Sequence, residues 1–283
     1  MAIQTIAVIG AGTMGHGIAQ IAAQAGFNVA LHDTGEALVG RGLSNIRNNL
    51  AKGVERGKVT EAEMRETLAR VRGTVDLLDA AGGADLVVEA IIEKLDAKLE
   101  LFASLSNIRG QTAILATNTS SLSIELIAAA VEHPDRVIGM HFFNPPHLMK
   151  LVEVIRAPET SDQTLTAVLD VVARMGKEAI TVRDSPGFAT SRLGVAIGLE
   201  AMRMLQEGVA SAEDIDKAMV LGYNHPMGPL RLTDLVGLDI RLNIAEYLHE
   251  KLATDVFKPP EILKRMVEEG KLGKKSGEGF YKW

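Results

Sequence analysis

At 283 residues the chain exceeds a typical single domain, and with 47% hydrophobic residues it can bury a sizeable core, so one large domain plus a smaller one is expected. A net charge of -6 gives no general reason to bind nucleic acid or an anionic membrane, and the lack of cysteine excludes disulfides, cysteine nucleophiles and thiolate metal sites. No run is apolar for long enough to span a bilayer, and the apolar N-terminal stretch lacks a basic leader, so a cytoplasmic setting is expected, with no nucleic-acid or membrane partner and no metal site.

The first element is the strand Thr5-Ile6-Ala7-Val8-Ile9, rich in β-branched residues and apolar throughout, as a buried parallel strand should be. It runs into Gly10-Ala11-Gly12-Thr13-Met14-Gly15, after which Ile18, Ile21 and Ala22 recur at helical spacing. In such a strand–turn–helix unit Gly10 allows the tight turn, Gly12 lets a pyrophosphate approach the backbone, and Gly15 lets the helix pack closely on the sheet. The helix start offers N–H groups and a positive dipole end to that pyrophosphate. A second strand, Phe27 to His32, ends at Asp33, about twenty residues beyond the turn, where a carboxylate can accept from both ribose hydroxyls. Asp33 could instead simply begin a turn, which would leave that spacing unexplained. The acid would repel a 2′-phosphate and no arginine follows it directly, so NAD is expected rather than NADP.

Leu38, Leu43, Ile46 and Leu50 then form one helical face, and Thr60-Glu61-Ala62-Glu63 is a capping box for a second helix through Met64 and Leu68. The first of these helices and its turn carry Arg47, Lys52, Arg56 and Lys58. Such cations are most simply a solvated face; the functional alternative is that they meet the phosphates of a large substrate handle. Strands follow at Asp85–Ala90, Thr112–Ala116, Arg136–Met140, Leu151–Ile155 and Ala179–Val182, with helices through Leu95–Phe102, Ile124–Val131 and Leu165–Val172 between them. Alternating strands and helices imply a Rossmann-type, doubly wound and mostly parallel α/β sheet with ligands beyond the carboxyl ends of its strands. The polar clusters Thr117–Ser121 and His141–Asn144 fall at those ends.

At Asp184-Ser185-Pro186-Gly187 the pattern breaks, and only helices are predicted beyond it: Phe188–Gln206, Ala212–Val220 behind the cap Ser211, Leu230–Leu252 and Glu261–Glu268. The division is therefore expected at 1–184 for the nucleotide-binding domain and 185–283 for a smaller all-α domain. Apolar residues spread widely around its first helix, so it is expected to bury a face against a second copy, giving a homodimer.

Alcohol oxidation by a nicotinamide enzyme needs a base for the hydroxyl proton, a group that orients the base and donors that fix the oxygen. His141 follows a strand end and is a candidate base, although a lone histidine is more often structural. Glu153 is an acid inside the apolar strand Leu151–Ile155, where an unpaired carboxylate would be costly. Pairing the two explains both residues; an edge strand with Glu153 facing water is the alternative.

Six segments taken together resemble the L-3-hydroxyacyl-CoA dehydrogenases, and among them the bacterial branch acting on 3-hydroxybutyryl-CoA. They are Gly10-x-Gly12-x-x-Gly15, Val87-Val88-Glu89-Ala90, Asn118-Thr119-Ser120-Ser121, Gly139-Met140-His141-Phe142-Phe143-Asn144-Pro145, Met149–Val154 and Asn224–Pro229. The resemblance covers essentially the whole chain. It implies NAD-dependent oxidation of short-chain (S)-3-hydroxyacyl-CoA, with His141 as base, Glu153 as its partner and Ser120 bonding the reacting oxygen. It also implies that Asp33, Ala90, Glu93, Lys98, Ser120 and Asn144 line the NAD site together with Gly10, Gly12, Thr13, Met14 and Gly15. Asn49 and Arg56, with Lys52 beside them, would contact coenzyme A. Ser191 stands where the family has an asparagine expected to hold the thioester carbonyl. Pro146-His147-Leu148 is a second departure, because the family has a small residue, proline and valine there. Two rival expectations keep the fold: an NAD-dependent dehydrogenase of a free hydroxyacid, and a non-catalytic NAD-binding protein.

Overall fold

A computed structural model describes residues 3–109 and 112–283 and divides into two compact units, Met1–Ser185 and Pro186–Trp283. In the first, β1 (Thr5–Ile9), α1 (Gly15–Gln24), β2 (Asn28–His32), α2 (Glu36–Glu55), α3 (Glu61–Ala69), β3 (Val71–Thr74), α4 (Leu77–Ala81), β4 (Leu86–Glu89), α5 (Leu95–Arg109) and β5 (Ile114–Thr117) are followed by α6 (Ile124–Ala128), β6 (Val137–Phe142), β7 (Leu151–Arg156), α7 (Asp162–Arg174) and β8 (Glu178–Arg183). The eight strands form one sheet in the order β3-β2-β1-β4-β5-β6-β7-β8. β3 through β6 are mutually parallel, giving the doubly wound 3-2-1-4-5-6 order, whereas β7 runs antiparallel to β6 and β8 parallel to β7.

Helices cover both faces of the central strands, so β4, β5 and β6 are buried at every position and carry Leu, Val, Ile and Ala with little alternation. The core joins Ile6, Val8, Ile18, Phe27, Leu31, Ile46, Leu50, Val88, Ile114 and Ile138. On α2 the buried face includes Val39, while Leu38 remains 37% exposed. The capping box of α3 forms: Thr60 Oγ1 accepts from Glu63 N–H, and the Glu63 carboxylate accepts from Thr60 N–H.

The eighth strand is β3, which the sequence did not suggest; Val-Arg-Gly-Thr is too short and polar to signal one, and its Gly73 is fitted against Val39 and Leu43 of α2. The edge-strand alternative for Glu153 does not hold. β7 lies between β6 and β8, and Glu153 is completely buried, while β8 is the exposed edge.

The second unit is helical: α8 (Thr190–Gln206), α9 (Ala212–Gly222), α10 (Pro229–Val236), α11 (Leu238–Leu252) and α12 (Glu261–Glu268). α8 starts later than Phe188 because Gly187 and Phe188 both have positive φ. The single helix expected over 230–252 is two, separated by Gly237 at φ 106°, a conformation that glycine adopts freely. Buried Asp234 accepts from Phe280 N–H, Tyr281 N–H and Trp283 Nε1–H, which fastens the C-terminal segment to α10.

Candidate active site

The glycine turn has the shape a dinucleotide needs. Gly10 has φ 102°, and a Cβ there would come 2.5 Å from the Ala90 carbonyl oxygen. At Gly15 a Cβ would fall 1.7 Å from Gly10 O, so the start of α1 can lie against β1 only without a side chain. Around Gly12 nothing lies within 4 Å of the same position, and both Gly12 and Thr13 are exposed, leaving open backbone in front of the helix start. Asp33 is fixed beside this turn, Oδ2 accepting from Ala11 N–H at 2.9 Å and Oδ1 from Thr34 N–H at 2.8 Å. A cleft of about 270 Å³ is lined by Gly10, His32, Asp33, Thr34, Ile91 and Leu101, among others. A cleft that joins the glycine turn, the Asp33 carboxylate and apolar side chains is suited to the adenosine end of NAD.

Beyond β4 and β5 a chain of charges reaches Ser120. Glu89, at the end of β4, is fully buried; Oε1 accepts from Lys98 Nζ at 2.6 Å and Ile91 N–H at 2.7 Å, and Oε2 from Thr117 Oγ1 at 2.6 Å. Lys98 is 1% exposed and lies 3.3 Å from Glu93 Oε2, so its ammonium faces carboxylates rather than an open cleft. Glu93 Oε1 in turn accepts from Thr119 Oγ1 at 2.6 Å and Ser120 N–H at 2.7 Å. Half-exposed Glu93 thus anchors the backbone of Ser120 to a buried ion pair. Asn118 ties the same loop to the next strand, its Oδ1 accepting from Phe142 N–H at 2.9 Å.

His141 and Glu153 are directly opposed in the antiparallel β6–β7 pairing, which places both side chains on one face. Nδ1 of His141 is 2.7 Å from Glu153 Oε2, with the imidazole 7% exposed and the carboxylate fully buried. An ionised carboxylate only accepts, so in this pair Nδ1–H donates to Glu153, and a neutral ring of that tautomer has its acceptor at Nε2. The Phe143 ring packs at 4.6 Å from the imidazole. Asn144 is exposed on the following loop.

A second cleft, again about 270 Å³, lies between α1, the end of α2 and the loop after β6. Asn49, Lys52, Arg56 and Lys58 line it with Gln20, Gln24, Val59, His147 and Leu148; Arg47 does not. None of Lys52, Arg56 and Lys58 has a carboxylate partner among the described residues. Ser191 sits in the first turn of α8 in the helical unit. Glu89 and Asn118 were not singled out from the sequence for any role; an acid closing the apolar strand Leu86–Glu89 is the same signal that drew attention to Glu153.

Such a glycine turn, an acid fixed beside it at the end of β2, and a His–Glu pair are in keeping with a nicotinamide-dependent alcohol dehydrogenase of Rossmann type. The family models place it further: 3-hydroxyacyl-CoA dehydrogenase, NAD binding domain, matches residues 5–185, and 3-hydroxyacyl-CoA dehydrogenase, C-terminal domain, matches residues 187–283. The chain belongs to the 3-hydroxyacyl-CoA dehydrogenase family, whose cofactor is NAD. It is 48% identical over 276 residues to a Deinococcus radiodurans protein named "Probable 3-hydroxybutyryl-CoA dehydrogenase", covering 98% of this chain and 99% of that one. Identity to the 3-hydroxybutyryl-CoA dehydrogenase of Mycobacterium tuberculosis is 44%, over 99% of this chain and 98% of the relative. The crystal structure of (S)-3-hydroxybutyryl-CoA dehydrogenase PaaH1 from Ralstonia eutropha superposes with a TM-score of 0.97 at 42% identity, covering 100% of this chain and 99% of the other.

Proposed function

We propose that the protein interconverts (S)-3-hydroxybutyryl-CoA and acetoacetyl-CoA with NAD, His141 acting as the proton acceptor. The observation that carries this reading is the His141–Glu153 pair at 2.7 Å, in which a buried carboxylate orients the imidazole through Nδ1. Bound NAD supplies the hydride acceptor for the substrate's C3. Nε2 of His141 takes the hydroxyl proton as the C3–H bond breaks, so the C3–O bond becomes a carbonyl and the imidazole an imidazolium. Glu153 stabilises that cation across the Nδ1–H bond; in the reverse direction the imidazolium returns its proton to the forming alkoxide. Ser120 is assigned the reacting oxygen, and Glu93, held by Lys98, keeps its loop in place. Lys98 then serves NAD through Glu93 rather than by direct contact.

The Gly10–Gly15 turn with Thr13, Met14 and Ala90 is assigned to the pyrophosphate, Asp33 to the ribose, and Asn144 to the nicotinamide side. Asn49, Lys52 and Arg56 take the coenzyme A handle in the basic cleft, where cations without carboxylate partners suit phosphates. Ser191 is assigned to the thioester carbonyl. A homodimer formed through the helical unit belongs to the same reading: an apolar groove of about 470 Å³ includes Ile197, Met204, Ile215, Met219 and Tyr223 on its walls. A cytoplasmic setting fits NAD and coenzyme A thioesters as reactants.

NADH oxidation with acetoacetyl-CoA, with acetoacetate as the control, is the test. Consumption with the thioester alone is expected. Equal rates with acetoacetate would favour a free-hydroxyacid dehydrogenase, and no turnover with either would leave only NAD binding.

A further inference from the structure

His147 and Leu148, on the loop after β6, are built into the wall of the basic cleft. The loop's course is fixed from two sides. Lys177 Nζ donates to Pro146 O at 2.7 Å and Met149 O at 2.8 Å. Pro146 lies so close over α1 that a Cβ on Gly17 would come 2.8 Å from its Cδ. The imidazole of His147 is therefore carried at a set place, opposite Asn49, Lys52 and Arg56.

Yet among the described residues none bonds to that ring at Nδ1. Nδ1 of His147 is buried and has no hydrogen-bond partner. The surrounding polar groups are committed elsewhere: Asn49 Nδ2 donates to Gln20 Oε1 at 3.2 Å, and Gln20 Nε2 to Gln24 Oε1. Burial, with His16 and Lys177 nearby, holds the His147 pKa below the ordinary histidine value, so the ring is neutral near pH 7. A neutral imidazole has one donor and one acceptor and adds no charge beside three cations. Nδ1 is sealed inside the wall, so the nitrogen that this ring can offer to a molecule in the cleft is Nε2.

We infer that His147 is a specificity residue for the coenzyme A handle, hydrogen-bonding an uncharged polar group of it while Lys52, Arg56 and Lys58 take the phosphates. The inference rests on the proposed acyl-CoA reading and adds to it a residue of the basic cleft to which that reading gives no role. Exposed Leu148, beside it on the cleft wall, offers apolar contact to the same part of the handle.

Calorimetric titration with free coenzyme A, on the parent, His147→Ala and His147→Gln, tests this. The parent should bind, His147→Ala should bind about three- to tenfold more weakly, the worth of one neutral hydrogen bond, and His147→Gln should recover part of the loss. In steady state the His147→Ala loss should fall on KM for acetoacetyl-CoA rather than on kcat. With acetoacetyl-N-acetylcysteamine, which lacks the nucleotide, it should be less than about twofold. NADH binding followed by fluorescence checks that the variant is folded. Equal coenzyme A affinity in parent and His147→Ala overturns the role of His147 and leaves the acyl-CoA reading standing. Loss in kcat with both thioesters would also overturn it, since the residue would then act on the chemistry. A parent that does not bind coenzyme A overturns both.

Discussion

Two glutamates are completely buried in one sheet, Glu89 at the end of β4 and Glu153 within β7, and their partners give them different capacities. Glu89 is surrounded by three donors: the Lys98 ammonium, the Ile91 backbone N–H and the Thr117 hydroxyl. Such a carboxylate keeps the same charge and partners throughout a reaction cycle and serves as an anchor, here for Lys98, Glu93 and the Ser120 loop. Glu153 faces an imidazole, the one side chain whose unperturbed pKa lies between pH 5 and 8. Equal burial therefore accompanies an ion pair in one case and, on the proposed reading, a proton-transfer pair in the other. The kind of partner, not the depth of the carboxylate, separates the two sites.

Substitutions at the two sites should separate accordingly. His141→Ala should lower turnover with acetoacetyl-CoA by about two to four orders of magnitude, the range of a lost general base, while NADH still binds. Near-parental turnover would remove His141 from the mechanism. Glu89→Gln should instead cost stability, about 3–5 kcal/mol, because Lys98 is left buried without its full counter-charge. Urea unfolding measures this, and a variant as stable as the parent would show that the pair is not an anchor.

Smaller effects sharpen the picture around these sites. Asp33→Ala should erode the preference for NADH over NADPH by removing both a ribose partner and a charge that repels a 2′-phosphate. Equal efficiency with the two cofactors in the parent would contradict the assignment. Ser191→Ala should reduce kcat/KM for acetoacetyl-CoA by about three- to tenfold, and Ser191→Asn should maintain or raise it. Unchanged kinetics in the alanine variant would remove Ser191 from the substrate's contacts.

The smallest expected effect comes from His32, buried beside Asp33, whose pKa burial holds below the ordinary histidine value. The unfolded chain then binds more protons than the folded one as pH falls below about 6.5. Its contribution to stability is lost over that window until the folded-state pKa is passed. His32→Gln should make urea stability less sensitive to pH between about 7.5 and 5, and parallel slopes would show that His32 does not titrate there.

Much of this arrangement was legible because the signals are local. The β-branched runs, the Gly10–Gly15 turn and the acid at Asp33 lie within one strand–turn–helix–strand unit, and Glu153 stands out as a charge in an apolar strand. What stayed hidden depends on residues distant in the chain. Val71–Thr74 becomes a strand through pairing with β2, and its glycine is explained only by side chains from α2. The division of the helix at Gly237 is a backbone dihedral that apolar spacing running through 230–252 does not encode. The burial of Lys98 between two acids likewise needs β4 and α5 to be brought together before it can be seen.

The most direct test of the distinction between the two glutamates is a double-variant cycle on turnover with acetoacetyl-CoA, joining His141→Ala first with Glu153→Gln and then with Glu89→Gln. If Glu153 works through His141, the His141→Ala/Glu153→Gln protein should be no slower than His141→Ala alone, within about threefold, because the second change removes a partner whose base is already gone. Any loss that Glu89→Gln causes by itself should persist undiminished in the His141→Ala background. Losses that multiply for His141 and Glu153 would contradict the account, since Glu153 would then contribute to the chemistry independently of the imidazole it faces.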